Sequence, residues 1–300
     1  RRQRQMCIRD RLMMKAIYKK EVKSYLTSMI GYVFIFFILL LEGIYFTAYN
    51  LQNAYPLFGT TLSAVTFIFL ILVPVLTMKT IAEERKQKTD QLLLTAPVSV
   101  SEIVLGKFLA VATVYAIPVL IICLYPMIMG KYGTVSYAMA YTAVLGFALL
   151  GFAQIAVGVF WSSVTENPVI AAVVTFIVLF VCYMITGIGS LIPDSSMASL
   201  ACYMLLVLLA AVWIYHMIRN LWIAAVIGIA GEAALAITYV VKSTLFEGSI
   251  QKFLAVFDIT SHFDNFTNGI LDLQGVVYFL SVIIIFLVLT VQTITKRRWN

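Results

Sequence analysis

Two carboxylates lie inside long apolar runs, where an ionisable side chain is costly and suggests a function. Glu42 falls in the run 29–49 and Glu232 in the run 221–241. By default such groups indicate a substrate pathway or a proton relay. Glu42 lies toward the outer end of its run, which favours a solvated or interfacial carboxylate. The small neighbours of Glu232 fit close helix packing, so a protonated, hydrogen-bonded side chain is equally compatible there.

No segment offers the usual phosphate-binding loop for ATP. Residues 106–108 read GKF and residues 130–132 read GKY, so neither lysine is followed by the hydroxyl that holds Mg²⁺. We therefore expect no catalytic residue and no cofactor on this chain. If ATP drives the protein, ATP and Mg²⁺ are bound by another polypeptide.

Metal and nucleic-acid chemistry are both disfavoured. His216 and His262 are far apart in sequence, and the four cysteines show no C-x-x-C spacing, so we predict no metal site. The net charge of +7 comes from basic residues at the ends of apolar runs rather than along one folded face. That distribution predicts membrane topology and not nucleic-acid binding.

The most distinctive charged segment is the loop 81–107. A charged turn over 83–88 precedes three consecutive leucines, Leu92, Leu93 and Leu94, and Pro97 follows. Because helices tend to end before a proline, we predict a short helix standing off the membrane. Such an element can present leucines to a groove on a partner. An ordinary solvated loop is the alternative, although three adjacent leucines in water argue against it.

The elements that position these residues are membrane spans. Apolar residues make up 62% of the chain and charged residues only 12%, which is too little polar surface for a soluble domain. A span needs about 20 mostly apolar residues. We predict an all-α polytopic membrane protein with about eight spans, or six if 198–241 is a re-entrant hairpin; the eight are 29–49, 61–80, 108–129, 138–160, 168–188, 198–217, 221–241 and 275–295.

Basic residues predict the orientation of the spans, because they stay preferentially on the cytoplasmic side. With the N-terminus inside, 18 of the 21 lysines and arginines are cytoplasmic, and so is the C-terminus. Residues 1–12 differ in character from the rest and are predicted to be a non-native or disordered leader. One permease domain over 13–300 then contains an interfacial helix at 13–28 and an extracytoplasmic segment at 242–274.

Four stretches together resemble the permeases of ABC type-two exporters, particularly the gliding-motility-type branch. The run LTMKTIAEERKQKTDQLLLTAPVSVSEIVLGKF resembles that family's first cytoplasmic loop. Residues 16–34 resemble its interfacial helix, 162–171 its second cytoplasmic turn, and 263–273 with the terminal KRRW its last outer segment and final span. One departure is Lys88, since the family usually has glycine before the loop threonine.

The resemblance implies an exporter permease in the bacterial cytoplasmic membrane, working with a separate ABC ATPase subunit. It also implies a homodimer or a heterodimer with a related permease, in contact with membrane lipid. Residues carried over as coupling contacts to the ATPase are Glu83, Glu84, Thr89, Leu92, Leu93, Leu94 and Pro97 in the first loop, and Thr165, Glu166 and Asn167 in the second turn.

Two other classes are weighed against this one. A proton-coupled secondary transporter using Glu42 and Glu232 would be expected to show an inverted repeat, and the two halves show none. A membrane-embedded enzyme would need paired carboxylates, a metal-binding histidine pattern or an activated nucleophile, and none is apparent. The substrate cannot be inferred from the sequence.

Overall fold

The computed structural model describes residues 2–89, 98–218 and 220–299, and these residues form helices without a β-strand. The predicted all-α polytopic architecture is confirmed. The α-helices are α1 Arg2–Thr27, α2 Met29–Tyr45, α3 Phe58–Thr77, α4 Ala82–Lys86, α5 Val100–Ile122, α6 Tyr125–Tyr132, α7 Tyr137–Val164, α8 Pro168–Ser190, α9 Ser196–Ile218, α10 Leu221–Val241, α11 Ser249–Ala255, α12 Ser261–Thr267 and α13 Leu273–Trp299. A π-helical stretch, Phe46–Gln52, extends α2, and a 3₁₀ turn, Ser243–Phe246, follows α10.

Within the described ranges, six helical segments are long and apolar enough to cross a membrane. They are Met29–Gln52, Phe58–Lys86, Val100–Tyr132, Tyr137–Val164, Pro168–Ser190 and Leu273–Arg297. The segment Ala225–Val241 with Ser243–Ala255 is bent by 116° and would be a seventh if the pair is one broken span. The predicted count of eight is therefore not confirmed, whereas the six spans outside 198–241 all recur.

The chain divides into two compact units, residues 1–180 with 259–300 and residues 181–258. The core of the first unit is an aromatic cluster between α3, α5 and α7. Phe69, Tyr115 and Phe147 are fully buried, and the Phe69 and Phe147 rings lie 4.8 Å apart between centroids. The Tyr115 hydroxyl donates to the Phe147 carbonyl at 2.7 Å. Gly151 lies against the Tyr115 ring so closely that any side chain there would collide with it.

Helix α1 and helix α2 are separated at Ser28, which has an extended backbone. Gly31 follows the break, and a side chain there would collide with the Tyr25 carbonyl. The predicted interfacial segment 13–28 is thus the C-terminal part of a longer helix that begins at Arg2. Side chains of residues 2–13 lie outside the described part, so the prediction of a non-native leader stays a prediction.

Opposite the end that carries α1 and α4, the first unit is closed by α12. Phe263 and Phe266 of this short helix are fully buried, and Phe266 packs on Gly146 of α7. Two phenylalanines of the predicted extracytoplasmic segment 242–274 therefore pack inside the first unit. Ile270, in the same segment, is 59% exposed.

The second unit contains a helical hairpin of α9 and α10. Gly228 of α10 lies against Ala211, and Gly231 lies against Val207 of α9. Small residues at these positions let the two helices approach closely, as the sequence suggested. The Phe246 ring, after the end of α10, packs edge-on against Tyr203 and Tyr239.

Candidate functional site

A buried lysine joins three elements at one end of the first unit. Lys107, near the start of α5, is only 2% exposed. Its ammonium Nζ lies 2.8 Å from Glu21 Oε1 of α1, 3.0 Å from Glu84 Oε2 of α4, and 2.8 Å from the Thr80 carbonyl oxygen. An ammonium has three N–H donors, so each one has an acceptor. We call Lys107, Glu21, Glu84 and Thr80 the lysine cluster.

Tyr25 adds a second connection between α1 and the end of α3. Its hydroxyl lies 3.2 Å from the Leu76 carbonyl oxygen and 3.0 Å from Thr80 Oγ1. Burial raises the pKa of the Tyr25 phenol well above its usual range, because the phenolate would lose its hydration. The phenol is therefore neutral at any physiological pH and can keep donating its hydrogen bond. Together with the lysine cluster, it fixes α1 to the start of the first loop.

Ser162, at the end of α7, holds the start of α4. Its Oγ accepts hydrogen bonds from the backbone N–H groups of Ile81 and Ala82, both at 3.1 Å. It also lies 3.2 Å from the Met78 carbonyl oxygen. Because the first N–H groups of a helix have no partner within it, this side chain acts as a cap supplied from a distant helix. The first loop and the second turn are therefore in direct contact.

Helix α4 ends in a Schellman motif centred on Lys88. The Thr89 N–H donates to the Glu84 carbonyl at 2.9 Å and the Lys88 N–H donates to the Arg85 carbonyl at 2.9 Å. This motif requires a left-handed residue, usually glycine, and Lys88 has φ of +59°. Glycine adopts this conformation without strain, whereas for Lys88 it costs about 1 kcal/mol.

The predicted coupling residues of the first loop fall into two groups. Glu83 pairs with Lys79 at 3.3 Å, Thr89 ends the Schellman motif, and Glu84 points into the lysine cluster and also lies 3.4 Å from Lys20. The charged turn predicted over 83–88 is largely helical, as α4. The remaining predicted contacts lie outside the described residues; they are Leu92, Leu93, Leu94 and Pro97.

The second turn connects α7 and α8 and is tied to the C-terminal helix. The Thr165 N–H bonds to the Trp161 carbonyl, and Asn167 caps α8 by accepting the Val169 N–H at 3.0 Å. Glu166 Oε1 lies 3.4 Å from an Arg297 nitrogen, and Arg297 also donates to the Val164 carbonyl at 3.0 Å. Glu166 is 75% exposed in its side chain and is therefore available to a partner.

A polar cavity of about 370 Å³ lies between α1 and the first loop. Its lining includes all the side chains of the lysine cluster, together with Lys20, Lys79 and Glu83. Three lysines and three glutamates therefore surround it, so their formal charges cancel.

The two carboxylates within apolar runs differ from this cluster. Glu42 is 0% exposed, so the predicted solvated side chain is wrong, because α2 turns this residue toward the protein core; the predicted interfacial depth stays a prediction. No described residue bonds to either of its oxygens. Glu232 lines a groove in the second unit, and its Oε1 is buried without a hydrogen-bond partner among the described residues. A role for either residue in a substrate pathway or a proton relay stays a prediction.

Among the described side chains, no three His, Cys, Asp or Glu residues are grouped so that they could hold a metal ion. His262 stacks on Tyr278 at 3.8 Å between ring centroids. The His216 side chain is outside the described part.

Three structural residues were not singled out by sequence reasoning, namely Lys107, Ser162 and Tyr25. The available signal for Lys107 was its position at the start of an apolar span, together with Glu21 in the N-terminal amphipathic helix. Ser162 and Tyr25 carry no such signal, because their partners are backbone groups or a threonine hydroxyl more than 50 positions away.

The fold and the lysine cluster define a multi-pass α-helical membrane protein whose first loop is bound to its first helix. The sequence pattern of the ABC-2 family transporter proteins matches residues 42–291. The chain therefore belongs to this family, which comprises the membrane subunits that generally work with an ABC ATPase. A comparison with curated proteins gives no match to the chain.

Proposed function

We propose that this chain is the permease subunit of an ATP-driven exporter in the bacterial cytoplasmic membrane. A separate ATPase subunit binds and hydrolyses ATP, and the permease pairs with a second copy or a related chain. Both termini are cytoplasmic in this proposal, which is supported by the positive-inside distribution of lysine and arginine. Membership of the ABC-2 family supports the ATPase partner.

The observation that carries the proposal is the lysine cluster. Glu84 of the first loop, Glu21 of α1 and the start of α5 meet at one ammonium group. A force applied to the loop therefore acts on the interfacial helix and on a span at the same time. Closure of the ATPase dimer would supply that force and bias the spans between two alternative packings.

The predicted coupling contacts take different roles under this proposal. Leu92, Leu93, Leu94 and Pro97 dock on the ATPase, and Glu83, Thr89, Thr165, Glu166 and Asn167 form a polar rim around them. Glu84 transmits force, since its carboxylate is engaged by Lys107. Ser162 keeps the loop and the second turn together, so the ATPase meets one continuous surface.

Co-purification with the ATPase encoded by a neighbouring gene tests the docking surface. The double variant Leu93→Asp with Leu94→Asp should reduce ATPase recovery with the tagged permease at least tenfold. The matched control is Leu271→Asp with Leu273→Asp, two exposed leucines at the opposite end of the first unit, which should leave recovery unchanged. Equal recovery with both double variants would contradict the docking assignment.

ATP hydrolysis distinguishes the proposal from a proton-coupled secondary transporter. The co-reconstituted complex should hydrolyse ATP faster than the ATPase alone, and a transported compound should change that rate. Transport that follows an imposed proton gradient and does not require ATP would favour the secondary transporter instead.

A further inference from the structure

The hairpin of α9 and α10 carries an open groove of about 610 Å³. Leu208 and Val212 contribute from α9, and Gly228 and Ile229 contribute from α10. The lining is aliphatic or small except for Tyr215 and one carboxyl group, that of Glu232. Volumes of 300–1,000 Å³ with apolar walls and few polar groups are typical of small-molecule sites.

Small residues let the two helices of the hairpin pack closely at one side of the groove. Gly228 and Gly231 bring α10 against Ala211 and Val207 of α9. Beside that contact the lining residues of α10 are small, with alanines at 225, 233 and 236. Short side chains leave the space between the helices unfilled.

Glu232 is the group that indicates what fills this space. It lies about 14–16 Å along the helix from either end of α10, given a rise of about 1.5 Å per residue. Its Oε1 is buried, and no described residue donates a hydrogen bond to it. A buried acceptor without a donor is costly, so a ligand that supplies the donor gains affinity.

We propose that this groove binds a single-chain amphiphilic amine. Its alkyl body lies along the aliphatic walls, and its ammonium group donates N–H hydrogen bonds to the Glu232 carboxylate. Hydrogen bonds between charged partners are stronger than neutral ones, so an ammonium is preferred over an alcohol of the same length. A sulfate or ionised carboxylate head group is excluded because it offers no N–H or O–H donor to the unpartnered Glu232 oxygen.

This proposal goes beyond the permease assignment, because it concerns the second unit and requires no ATPase. The chain alone, in nanodiscs of phosphatidylcholine, suffices to test it. The probe is a dodecylamine that carries a photoreactive diazirine, and adducts are mapped by mass spectrometry. Unlabelled dodecylammonium and dodecanol serve as competitors of equal chain length.

Adducts are expected on peptides that contain 204–236, and dodecylammonium should compete at least tenfold better than dodecanol. Glu232→Gln should bring the two competitors within twofold of each other. The control Glu247→Gln removes an exposed carboxylate of the same unit outside the groove and should behave like the wild type.

Three results would overturn the proposal. Absence of adducts in 204–236 would mean that another surface, such as a second copy of the chain, covers the groove. A competition ratio that Glu232→Gln does not change would mean that the carboxylate takes no part. Adding phosphatidylethanolamine to the nanodiscs then separates a free amine from a bilayer lipid with the same head group. If it displaces the probe as dodecylammonium does, the single-chain ligand is contradicted.

Discussion

Lys107 and Glu42 are both buried in the first unit, yet their charged groups differ in the partners that they have. Both belong to membrane-length helices, and both are essentially removed from solvent, with exposures of 2% and 0%. Lys107 has an acceptor for every ammonium hydrogen, whereas neither oxygen of Glu42 has a partner among the described residues. Burial alone therefore does not distinguish these two ionisable residues. They are distinguished by the number of their hydrogen-bond and ion-pair partners.

Replacing Lys107 with methionine should give the largest effect. The change removes the ammonium that bridges Glu21 and Glu84, so the buried Glu21 loses its partner in the cluster and Glu84 keeps only its contact to the exposed Lys20; breaking a buried ion pair typically costs about 3–5 kcal/mol. Scanning fluorimetry of the purified protein should show a lower unfolding temperature. The decrease in unfolding temperature should be smaller in the triple variant Lys107→Met, Glu21→Gln, Glu84→Gln, because the two carboxylate charges are then removed as well.

Lys20→Met provides the matched control for that experiment. Lys20 pairs with the same Glu84, at 3.4 Å, but its side chain is 66% exposed. Exposed ion pairs contribute about 0–1 kcal/mol. If Lys20→Met and Lys107→Met lower the unfolding temperature equally, the lysine cluster does not have the importance that its geometry suggests.

Replacing Glu42 with methionine tests the residue of this pair that has no hydrogen-bond partner among the described residues. Removing a buried polar group that has no partner, in favour of an apolar side chain of similar length, is expected to be neutral or to stabilise by about 1 kcal/mol. The same fluorimetric assay measures this change. A marked destabilisation by Glu42→Met would show that the carboxyl has a structural partner after all, and Glu42→Gln separates that case from an effect of shape.

The contrast between these two residues also shows what sequence reasoning could reach. Apolar runs of about 20 residues predict spans directly, which is why the six helices outside 198–241 were found. The intramembrane position of Glu42 was equally visible, but its burial was not, since the face of a helix that meets the protein depends on neighbouring helices. Lys107 was missed as a site residue because its acceptors come from residues 21, 80 and 84, and only folding brings these together.

Lys88 illustrates a partial success of the same reasoning. The sequence marks it as a lysine where the family usually has glycine. The structure places Lys88 in the left-handed region after α4, a conformation that favours glycine. The residue type marks position 88 as unusual, but only the backbone φ angle shows that Lys88 adopts the left-handed conformation.

Asp272 completes the comparison, because it has partners without being buried. Its carboxylate accepts hydrogen bonds from Asn265 Nδ2 and from the Gln274 N–H, both at 2.9 Å, and Asn265 is the main cause that holds the pKa of Asp272 below its usual value. A carboxyl whose pKa is lower in the folded state stabilises the protein above its unfolded pKa of about 3.9, and this contribution is lost as the pH falls through the folded value.

The wild type and Asp272→Asn should therefore differ in unfolding temperature at pH 6 and converge as the pH falls below about 4. Asn265→Ala should move the loss toward the ordinary carboxyl pKa. The change in unfolding temperature caused by Asp272→Asn should be smaller than those caused by Lys107→Met and Glu42→Met, because solvent already hydrates the Asp272 carboxylate. A difference between wild type and Asp272→Asn that persists at low pH would show that the side chain acts through packing and not through its charge.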